Sequence, residues 1–172
     1  MRTTCLFDLP AIDAALGRVA VALNQDMHGL SAPPLVLVVM KGALVTAGAL
    51  LPKLNFALEV DYVHATRYQH NNAQSELMWL HEPTAPIAGR QVILVDDILD
   101  EGITLAEVAN YCRNKGAAAV TTLVLLRKDR SEPPRIEADY VALHAPDGYV
   151  FGYGMDDNEL SRNLPGIYVH TP

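Results

Sequence analysis

The sequence has 172 residues, of which 50% are hydrophobic and 19% are charged. This length and composition indicate one globular domain with a sizeable core and exclude a disordered chain. The 13 Lys and Arg residues stand against 20 Asp and Glu residues, giving a net charge of −7. That charge argues against nucleic acid as a partner, because phosphate backbones select basic surfaces.

Several features predict a cytoplasmic protein without a membrane span. Apolar runs such as Leu35–Met40 are strand-sized and too short to cross a bilayer. Asp8 and Pro10 interrupt the apolar stretch near the N-terminus, so we expect no signal peptide. Cys5 and Cys112 lack the spacing of metal ligands and are expected to be reduced thiols.

Apolar periodicity, together with Pro and Gly breaks, predicts alternating strands and helices. In chain order these are a helix over Ile12–Gln25, a strand over Leu35–Met40, a helix over Ala43–Leu51, a strand over Leu58–Ala65, a polar loop over Arg67–Ser75, a short strand over Glu76–Leu80, a strand over Arg90–Val95, a helix over Thr104–Lys115, strands over Ala118–Leu126 and Tyr140–Leu143, and a Gly-rich stretch over Gly148–Gly154. This alternation predicts an α/β fold with a largely parallel sheet covered on both faces. Ligands of such sheets bind beyond the carboxyl ends of the strands, here just after Met40, Val95 and Leu126.

The most informative segment spans residues 92–104, where a buried strand ends in two carboxylates and an Asp-Glu-Gly-Ile-Thr turn opens a helix. Gly102 allows close backbone approach, Thr104 supplies a hydroxyl, and the helix start supplies unpaired N–H groups, as a phosphate requires. Asp96 and Asp97 point to opposite faces as long as the strand pleat persists. The alternative for Asp100 and Thr104 is simple helix capping.

The complete pattern of four hydrophobic residues, two acidic residues, an apolar pair and Asp-x-Gly-x-Thr resembles the phosphoribosyl-pyrophosphate motif of type I phosphoribosyltransferases. The resemblance implies that family's fold, a mostly parallel central sheet flanked by helices, with a small hood region from the chain termini. It also implies a single domain, with a core at about 30–145 and a hood at about 1–15 and 145–172. The ribose and its phosphate would be bound by Asp96, Asp97, Asp100, Glu101, Gly102, Ile103 and Thr104. Glu101 departs from the small Thr or Ser that many members carry.

Two further segments resemble the hypoxanthine-guanine branch of this family. Residues 38–43 are similar to its pyrophosphate loop, which implies that Lys41 and Gly42, together with Arg162, bind pyrophosphate. The resemblance also implies a cis peptide between Met40 and Lys41. Residues 59–68 are similar to the strand that enters a mobile loop closing over the reaction, here from Arg67 and Tyr68 to about Glu76. Asn71 to Ser75 stand where many relatives have glycines.

The base-binding residues are also implied by this resemblance. Lys128 follows the strand ending at Leu126 and would donate to a purine 6-oxo group, since an ammonium has donors only and disfavours adenine. Arg127 is the alternative cation. Tyr149 would stack on the purine, the Val150 backbone would contact its edge, and Asp156 would lie near both the purine 2-position and a magnesium ion. The alternative for Tyr149 is core packing.

Together these resemblances imply an enzyme that joins a 6-oxopurine, hypoxanthine or guanine, to phosphoribosyl pyrophosphate and releases pyrophosphate. Mg²⁺ would be the cofactor, held near Asp96, Asp97 and Asp156, and Asp100 would act as the general base at purine N7. Relatives form homodimers or homotetramers, and we expect the same here. Three alternatives are a relative preferring xanthine or a pyrimidine, a nucleotide-sensing regulator of this fold, and a generic doubly wound binding domain. The acidic composition and the absence of a Lys/Arg cluster count against an RNA-binding regulator.

Overall fold

The computed structural model describes residues 2–68 and 76–171. Its elements in chain order are β1 (Arg2–Phe7), α1 (Leu9–Asp26), β2 (Leu35–Met40), α2 (Ala43–Leu50), a 3₁₀ turn (Leu51–Lys53), β3 (Glu59–Tyr68), β4 (Glu76–His81), β5 (Gln91–Leu99), α3 (Ile103–Asn114), β6 (Ala119–Asp129), β7 (Tyr140–Pro146), β8 (Val150–Phe151) and β9 (Ile167–Thr171). Every predicted helix and strand is present. None of the helices in the described ranges is long and apolar enough to span a membrane.

The main sheet has six strands in the order β4-β3-β2-β5-β6-β7. The β2–β3, β2–β5, β5–β6 and β6–β7 pairs are parallel, and only β4 runs antiparallel to its neighbour β3. The central strands are buried along nearly their whole length, with Leu35, Ile93 and Leu123 fully enclosed. Strands buried on both faces have continuous apolar sequences, and this explains why the parallel sheet could be predicted.

One core layer packs α3 against the sheet, and its members include Leu94, Leu105 and Val108. Another packs α1 and α2 against the sheet, and its members include Leu23, Ala47 and Ile93. Helices therefore cover both faces, and the carboxyl ends of β2, β5 and β6 emerge together at one edge of this layered core.

A second, three-stranded antiparallel sheet has the order β1-β9-β8 and is built from the two ends of the chain. We call it the hood. Its core contact includes Ile12 and Leu16 of α1, Leu143 of β7 and Ile167 of β9. The sequence analysis missed β1 and β9, because neither strand has a partner nearby in the chain. The residue bounds predicted for core and hood stay a prediction.

Several boundaries differ from those predicted, and pairing or capping explains the shifts. Helix α1 begins at Leu9, before Ile12, because the Asp8 carboxylate accepts the Ala11 N–H at 3.0 Å and Pro10 occupies the first turn. The strand at Val95 continues to Leu99 because its pairing with β6 persists through Ile98 and Leu99. The loop predicted from Arg67 begins later, since Arg67 and Tyr68 still pair with Leu77 and Glu76.

Candidate active site

A cavity of about 270 Å³ lies at the carboxyl ends of β2 and β5, against the start of α3. This is the edge at which the sequence predicted a ligand site. The predicted site residues that line it are Gly42, Asp96, Asp97, Asp100, Gly102, Ile103, Thr104 and Arg162. One compact pocket therefore contains residues from three separate segments of the chain.

The floor of the cavity is the start of α3. Gly102 is the N-cap residue with φ 72°, in the left-handed region that favours glycine, and no described side chain caps the helix. The first-turn N–H groups consequently lack helical partners and present a positive end to the cavity. Neither Asp100 nor Thr104 caps α3, so the capping alternative is wrong. The arrangement is suited to a phosphate group.

The acidic pair forms the next part of the wall. Asp96 is buried, and Asp97 is partly buried beside it; the strand continues through both, yet both line the cavity because it surrounds the end of β5. Burial raises the pKa of Asp97. Hydrogen bonds with Asp96 and the Ile98 N–H and the charge of Arg162 lower the pKa, but by less than burial raises it. A carboxylate in this environment is stabilised by a neighbouring cation or by hydroxyl groups that donate to it.

Two glycines allow this close packing. A Cβ on Gly42 would lie 1.9 Å from the Asp97 Oδ2, and a Cβ on Gly154 would lie 2.1 Å from the Gly42 carbonyl oxygen. Gly154 belongs to the segment that follows β8, and its φ of 102° is unfavourable for other residues. The backbone of the segment after β8 thus packs against the backbone of the loop after β2, which in turn packs against the Asp97 side chain at the end of β5. As the resemblance implied, the Met40–Lys41 peptide is cis.

Asp100 lies between two cations from the end of β6. Its Oδ2 accepts from Lys128 Nζ at 2.7 Å, and its Oδ1 accepts from Arg130. Burial favours the neutral carboxyl, but the hydrogen bonds and charges of Lys128 and Arg130 outweigh burial and hold the pKa of Asp100 below its usual range. Asp100 is therefore anionic at neutral pH, and its charge is balanced by two cationic partners.

The two adjacent cations of β6 point to different partners. Arg127 pairs with Glu137 at 2.7 Å, whereas Lys128 pairs with Asp100 beside the cavity. Successive side chains of a strand face opposite sides, which accounts for the separation. The geometry favours Lys128 over Arg127 as the cation of this site.

The predicted pyrophosphate residues meet at Glu159. Lys41 Nζ lies 3.2 Å from Glu159 Oε2, and Arg162 lies 3.6 Å from the same oxygen. Arg162 also pairs with Asp156 at 2.9 Å and donates to the Gly154 carbonyl at 2.8 Å. The cations are thus clustered and already engaged by carboxylates, which an anionic ligand would have to replace.

The predicted base-binding residues come from two parts of the fold, Lys128 from β6 of the main sheet and Tyr149, Val150 and Asp156 from β8 of the hood and its flanking residues. Tyr149 is 52% exposed, and its hydroxyl donates to the Asp156 carbonyl at 3.2 Å, so packing in the core is not its role. Val150 is buried and pairs with Val169 of β9. Arg67 and Tyr68 end β3, while residues 69–75 of the predicted mobile loop lie outside the described residues.

Arg130 and Glu159 are contacts of the site that sequence reasoning missed. Arg130 lies one residue beyond the end of β6, where its backbone N–H donates to the Lys128 carbonyl at 3.1 Å. The run Arg127-Lys128-Asp129-Arg130 is the sequence signal that could have identified it. Glu159 contacts Lys41 across 118 positions of sequence, and no local pattern reports such a contact. Sequence motifs therefore identify candidate ligand-binding groups more readily than the charged residues that pair with those groups when no ligand is bound.

These features, a parallel sheet with a phosphate-type helix start and an acidic strand end beneath a hood, define a phosphoribosyltransferase class of site. A model of the phosphoribosyl transferase domain matches residues 3–158. The chain belongs to this family, and it is a phosphoribosyltransferase.

Named relatives extend the match over most of the chain. The hypoxanthine-guanine phosphoribosyltransferase of Bacillus subtilis strain 168 is 33% identical over 81% of this chain and 78% of its own length. The enzyme of that name from Streptococcus pneumoniae R6 is 31% identical over 92% of this chain and 87% of its own. A crystal structure of a hypoxanthine-guanine phosphoribosyltransferase from Bacillus anthracis, with HEPES in the active site, superimposes with a TM-score of 0.90 at 27% identity, covering 98% of both chains.

Proposed function

We propose that this protein transfers the phosphoribosyl group of 5-phosphoribosyl 1-pyrophosphate to hypoxanthine, guanine or both, forming IMP or GMP and releasing pyrophosphate. The relatives' names support this substrate class. The observation that carries the proposal is the Lys128–Asp100 pair beside the cavity, because it joins a donor for a 6-oxo group to a carboxylate. The reaction serves purine salvage.

The sugar phosphate is bound by the floor and wall of the cavity. The backbone of Glu101, Gly102, Ile103 and Thr104 receives the 5-phosphate at the start of α3, which supplies both N–H donors and a positive field. The carboxylates of Asp96 and Asp97 hold the ribose hydroxyls. Positive charge develops on the ribose as the leaving group departs, and these carboxylates stabilise it.

The leaving pyrophosphate is bound by Lys41, the Gly42 backbone and Arg162. These cations are clustered by Glu159 in the structure, so the site is preformed although the molecule as a whole is acidic. Preorganised cations cost little reorganisation at the moment of bond cleavage. The loop that the sequence predicts to close over the reaction starts at Arg67 and Tyr68, and its residues 69–75 lie outside the described residues.

Mg²⁺ is the cofactor that fits these residues. No cluster of three His, Cys, Asp or Glu ligands is present among residues 2–68 and 76–171. Mg²⁺ binds through one or two carboxylates together with substrate phosphates, so Asp96 and Asp97, which both line the cavity, form a suitable donor pair. Asp156, the third predicted ligand, is paired with Arg162 of the cavity lining. The bound ion would neutralise charge that develops on the pyrophosphate.

The base lies between Tyr149, the Val150 backbone, Asp156 and Lys128. Binding of a 6-oxopurine draws the Lys128 ammonium to the carbonyl oxygen and away from Asp100. Losing one cationic partner raises the pKa of Asp100 and makes it a better acceptor for the N7 proton. Substrate binding thereby switches on the general base, while Arg130 keeps it in place.

The experiment that tests base recognition compares two neighbouring variants. Lys128→Met removes the donor for the 6-oxo group, so the ratio of kcat/KM for hypoxanthine to that for adenine should fall by about 10²-fold or more. Arg127→Met is the matched control, because Arg127 pairs with Glu137, and it should leave the ratio unchanged. A Lys128→Met enzyme with undiminished selectivity would refute the assignment.

We also propose a cytoplasmic homodimer or homotetramer with small molecules as its only substrates. Val60, Tyr62, Met78 and Leu80 lie on one face of β3 and β4, and each is between 42% and 54% exposed. The opposite face of the same strands carries the buried Val63 and Ala65. An apolar patch of this kind on a sheet edge supports contact with a second copy.

A further inference from the structure

His170 on β9 is absent from the proposed catalytic scheme, yet it contacts residues 149–157 through its ring face, its backbone and its Nε2 atom. Its ring is parallel to that of Tyr149, with an interplanar angle of 15° and centroids 6.0 Å apart. The ring of Phe151, which is buried, stacks on His170 with centroids 4.6 Å apart. The His170 N–H also donates to the Tyr149 carbonyl at 3.3 Å, extending the pairing of β8 with β9.

The His170 side chain also makes a polar contact. His170 Nε2 lies 3.0 Å from Asp157 Oδ2, and both side chains are about three-quarters buried. His170 Nδ1 is buried and has no hydrogen-bond partner among the described residues. A proton on Nδ1 would be a buried donor without an acceptor, whereas a proton on Nε2 is donated to Asp157 Oδ2.

Asp157 begins a turn whose backbone is unfavourable without support. The turn is closed by reciprocal hydrogen bonds between Asp157 and Leu160, each 3.0 Å, and its residues Asn158 and Glu159 have φ angles of 50° and 65°. Left-handed conformations of non-glycine residues persist where surrounding contacts hold them. The His170–Asp157 hydrogen bond is one such contact, and it comes from a different strand.

Together these contacts form a closed ring. Tyr149 stacks on His170, His170 binds Asp157, Asp157 is bonded to Asp156, and the Asp156 carbonyl accepts from the Tyr149 hydroxyl. Tyr149 is the ring proposed to stack on the purine, and Asp156 is proposed to lie at its 2-position. Both are therefore held at a fixed separation by His170, which does not itself reach the cavity lining.

We propose that His170 is a positioning residue for the purine base, acting through Tyr149 and the Asp156–Asp157 turn. This inference rests on the proposed function, because it takes Tyr149 and Asp156 as the base contacts. It goes further by assigning the purine affinity of the site to a histidine–aspartate pair behind the stacking ring. The phosphate and pyrophosphate parts of the site are formed by other elements, and the loss of His170 should leave them intact.

The test uses three variants that separate the two contacts of His170. His170→Phe keeps a stacking ring and lacks the donor, His170→Gln keeps a donor and lacks the ring, and His170→Ala lacks both. We expect the KM for the purine to rise about 10-fold in His170→Ala, equal to about 1.4 kcal/mol, and less in the other two. The KM for phosphoribosyl pyrophosphate and kcat at saturating purine should stay within about threefold of wild type.

Binding of IMP and of phosphoribosyl pyrophosphate, measured by calorimetry on the same proteins, separates failure of this inference from failure of the proposed function. Weaker IMP binding in the variants, with unchanged binding of the diphosphate sugar, is the expected result, and the exposed His28→Ala should match wild type. An unchanged purine KM in both His170→Ala and His170→Phe would overturn the positioning role. A rise in the KM of both substrates together with a fall in kcat would also overturn it, because that result indicates general damage to the site. A wild-type protein that binds neither ligand would overturn the proposed function and this inference with it.

Discussion

At the scale of single residues, the chemistry of the site depends on how each charge is neutralised before a ligand arrives. Asp100 is paired with Lys128 and Arg130, and Lys41 is paired with Glu159. In each pair, a lysine is proposed to bind a substrate, Lys128 the purine carbonyl and Lys41 the pyrophosphate. A carboxylate, Asp100 or Glu159, is bonded to that lysine while no substrate is present. The unliganded site is therefore electrostatically satisfied, and binding becomes an exchange of partners with a small net cost.

Asp100→Asn should separate turnover from binding. The amide keeps an acceptor for Lys128, so the fold and the phosphate site should persist, but it cannot take the N7 proton. We expect kcat to fall by about 10²- to 10⁴-fold, with little change in the Kd of phosphoribosyl pyrophosphate. Steady-state kinetics and calorimetry give the two values.

The exposed Glu132→Gln, on the loop after β6, is the control for Asp100→Asn and should behave as wild type. Equal loss of turnover and of diphosphate-sugar affinity in Asp100→Asn would show that Asp100 serves the phosphate site rather than proton transfer.

At the scale of elements, the site exists because three strands of a parallel sheet end together and one turn of the hood packs on them. The carbonyl of Gly42 lies where a Cβ of Gly154 would be, and Asp97 lies where a Cβ of Gly42 would be. Side chains are absent at both positions, so the segment after β8, the loop after β2 and the end of β5 approach each other closely. The geometry of the proposed pyrophosphate site follows from this close packing.

Gly154→Ala should disrupt that stacking. The new Cβ would lie 2.1 Å from the Gly42 oxygen, and the φ of 102° disfavours alanine. We expect a loss of stability of at least about 1 kcal/mol and a larger proportional loss of kcat/KM. Chemical unfolding and kinetics measure both.

The control for Gly154→Ala is Gly17→Ala, in α1, where a Cβ would meet nothing within 4 Å. Because alanine is favoured over glycine inside a helix, this variant should be neutral or more stable by about 0.5–1 kcal/mol. Full activity in Gly154→Ala would contradict the proposed role of the glycine stack.

The sequence was informative about elements that carry strong local signals. The apolar runs of β2, β5 and β6 and the 92–104 motif identified the sheet and the cavity, because burial on both faces leaves a continuous apolar pattern. It was silent on β1 and β9, whose pairing joins opposite ends of the chain. The same limit hid Glu159 and the His170–Asp157 pair, whose contacts depend on how the hood is placed over the core.

At the scale of the whole molecule, an acidic protein handles polyanionic substrates by concentrating cations at one edge. Lys41, Lys128, Arg130 and Arg162 all lie on segments that meet beside the cavity. The net charge of −7 is therefore compatible with anionic substrates. The apolar face of β3 and β4 is another departure from an ordinary polar surface.

The exposure of that apolar face predicts an oligomer in which a second copy covers it. The purified 18.7 kDa chain should sediment with two or four times its monomer mass, and Leu80→Glu should shift the population towards monomer by placing a charge in the interface. The exposed Val21→Glu, on α1, is the control and should leave the mass unchanged. A wild-type monomer at micromolar concentration would contradict the prediction.

The most direct measurement is pyrophosphate release by the wild-type protein with phosphoribosyl pyrophosphate and Mg²⁺, tested separately with hypoxanthine, guanine, xanthine and adenine. We expect turnover with hypoxanthine, guanine or both, none with adenine, and loss of activity when EDTA removes the metal. Turnover confined to xanthine would correct the base specificity and leave the transferase chemistry in place. Silence with all four bases, in a protein that still binds the diphosphate sugar, would contradict the proposed transfer and favour a nucleotide-sensing role.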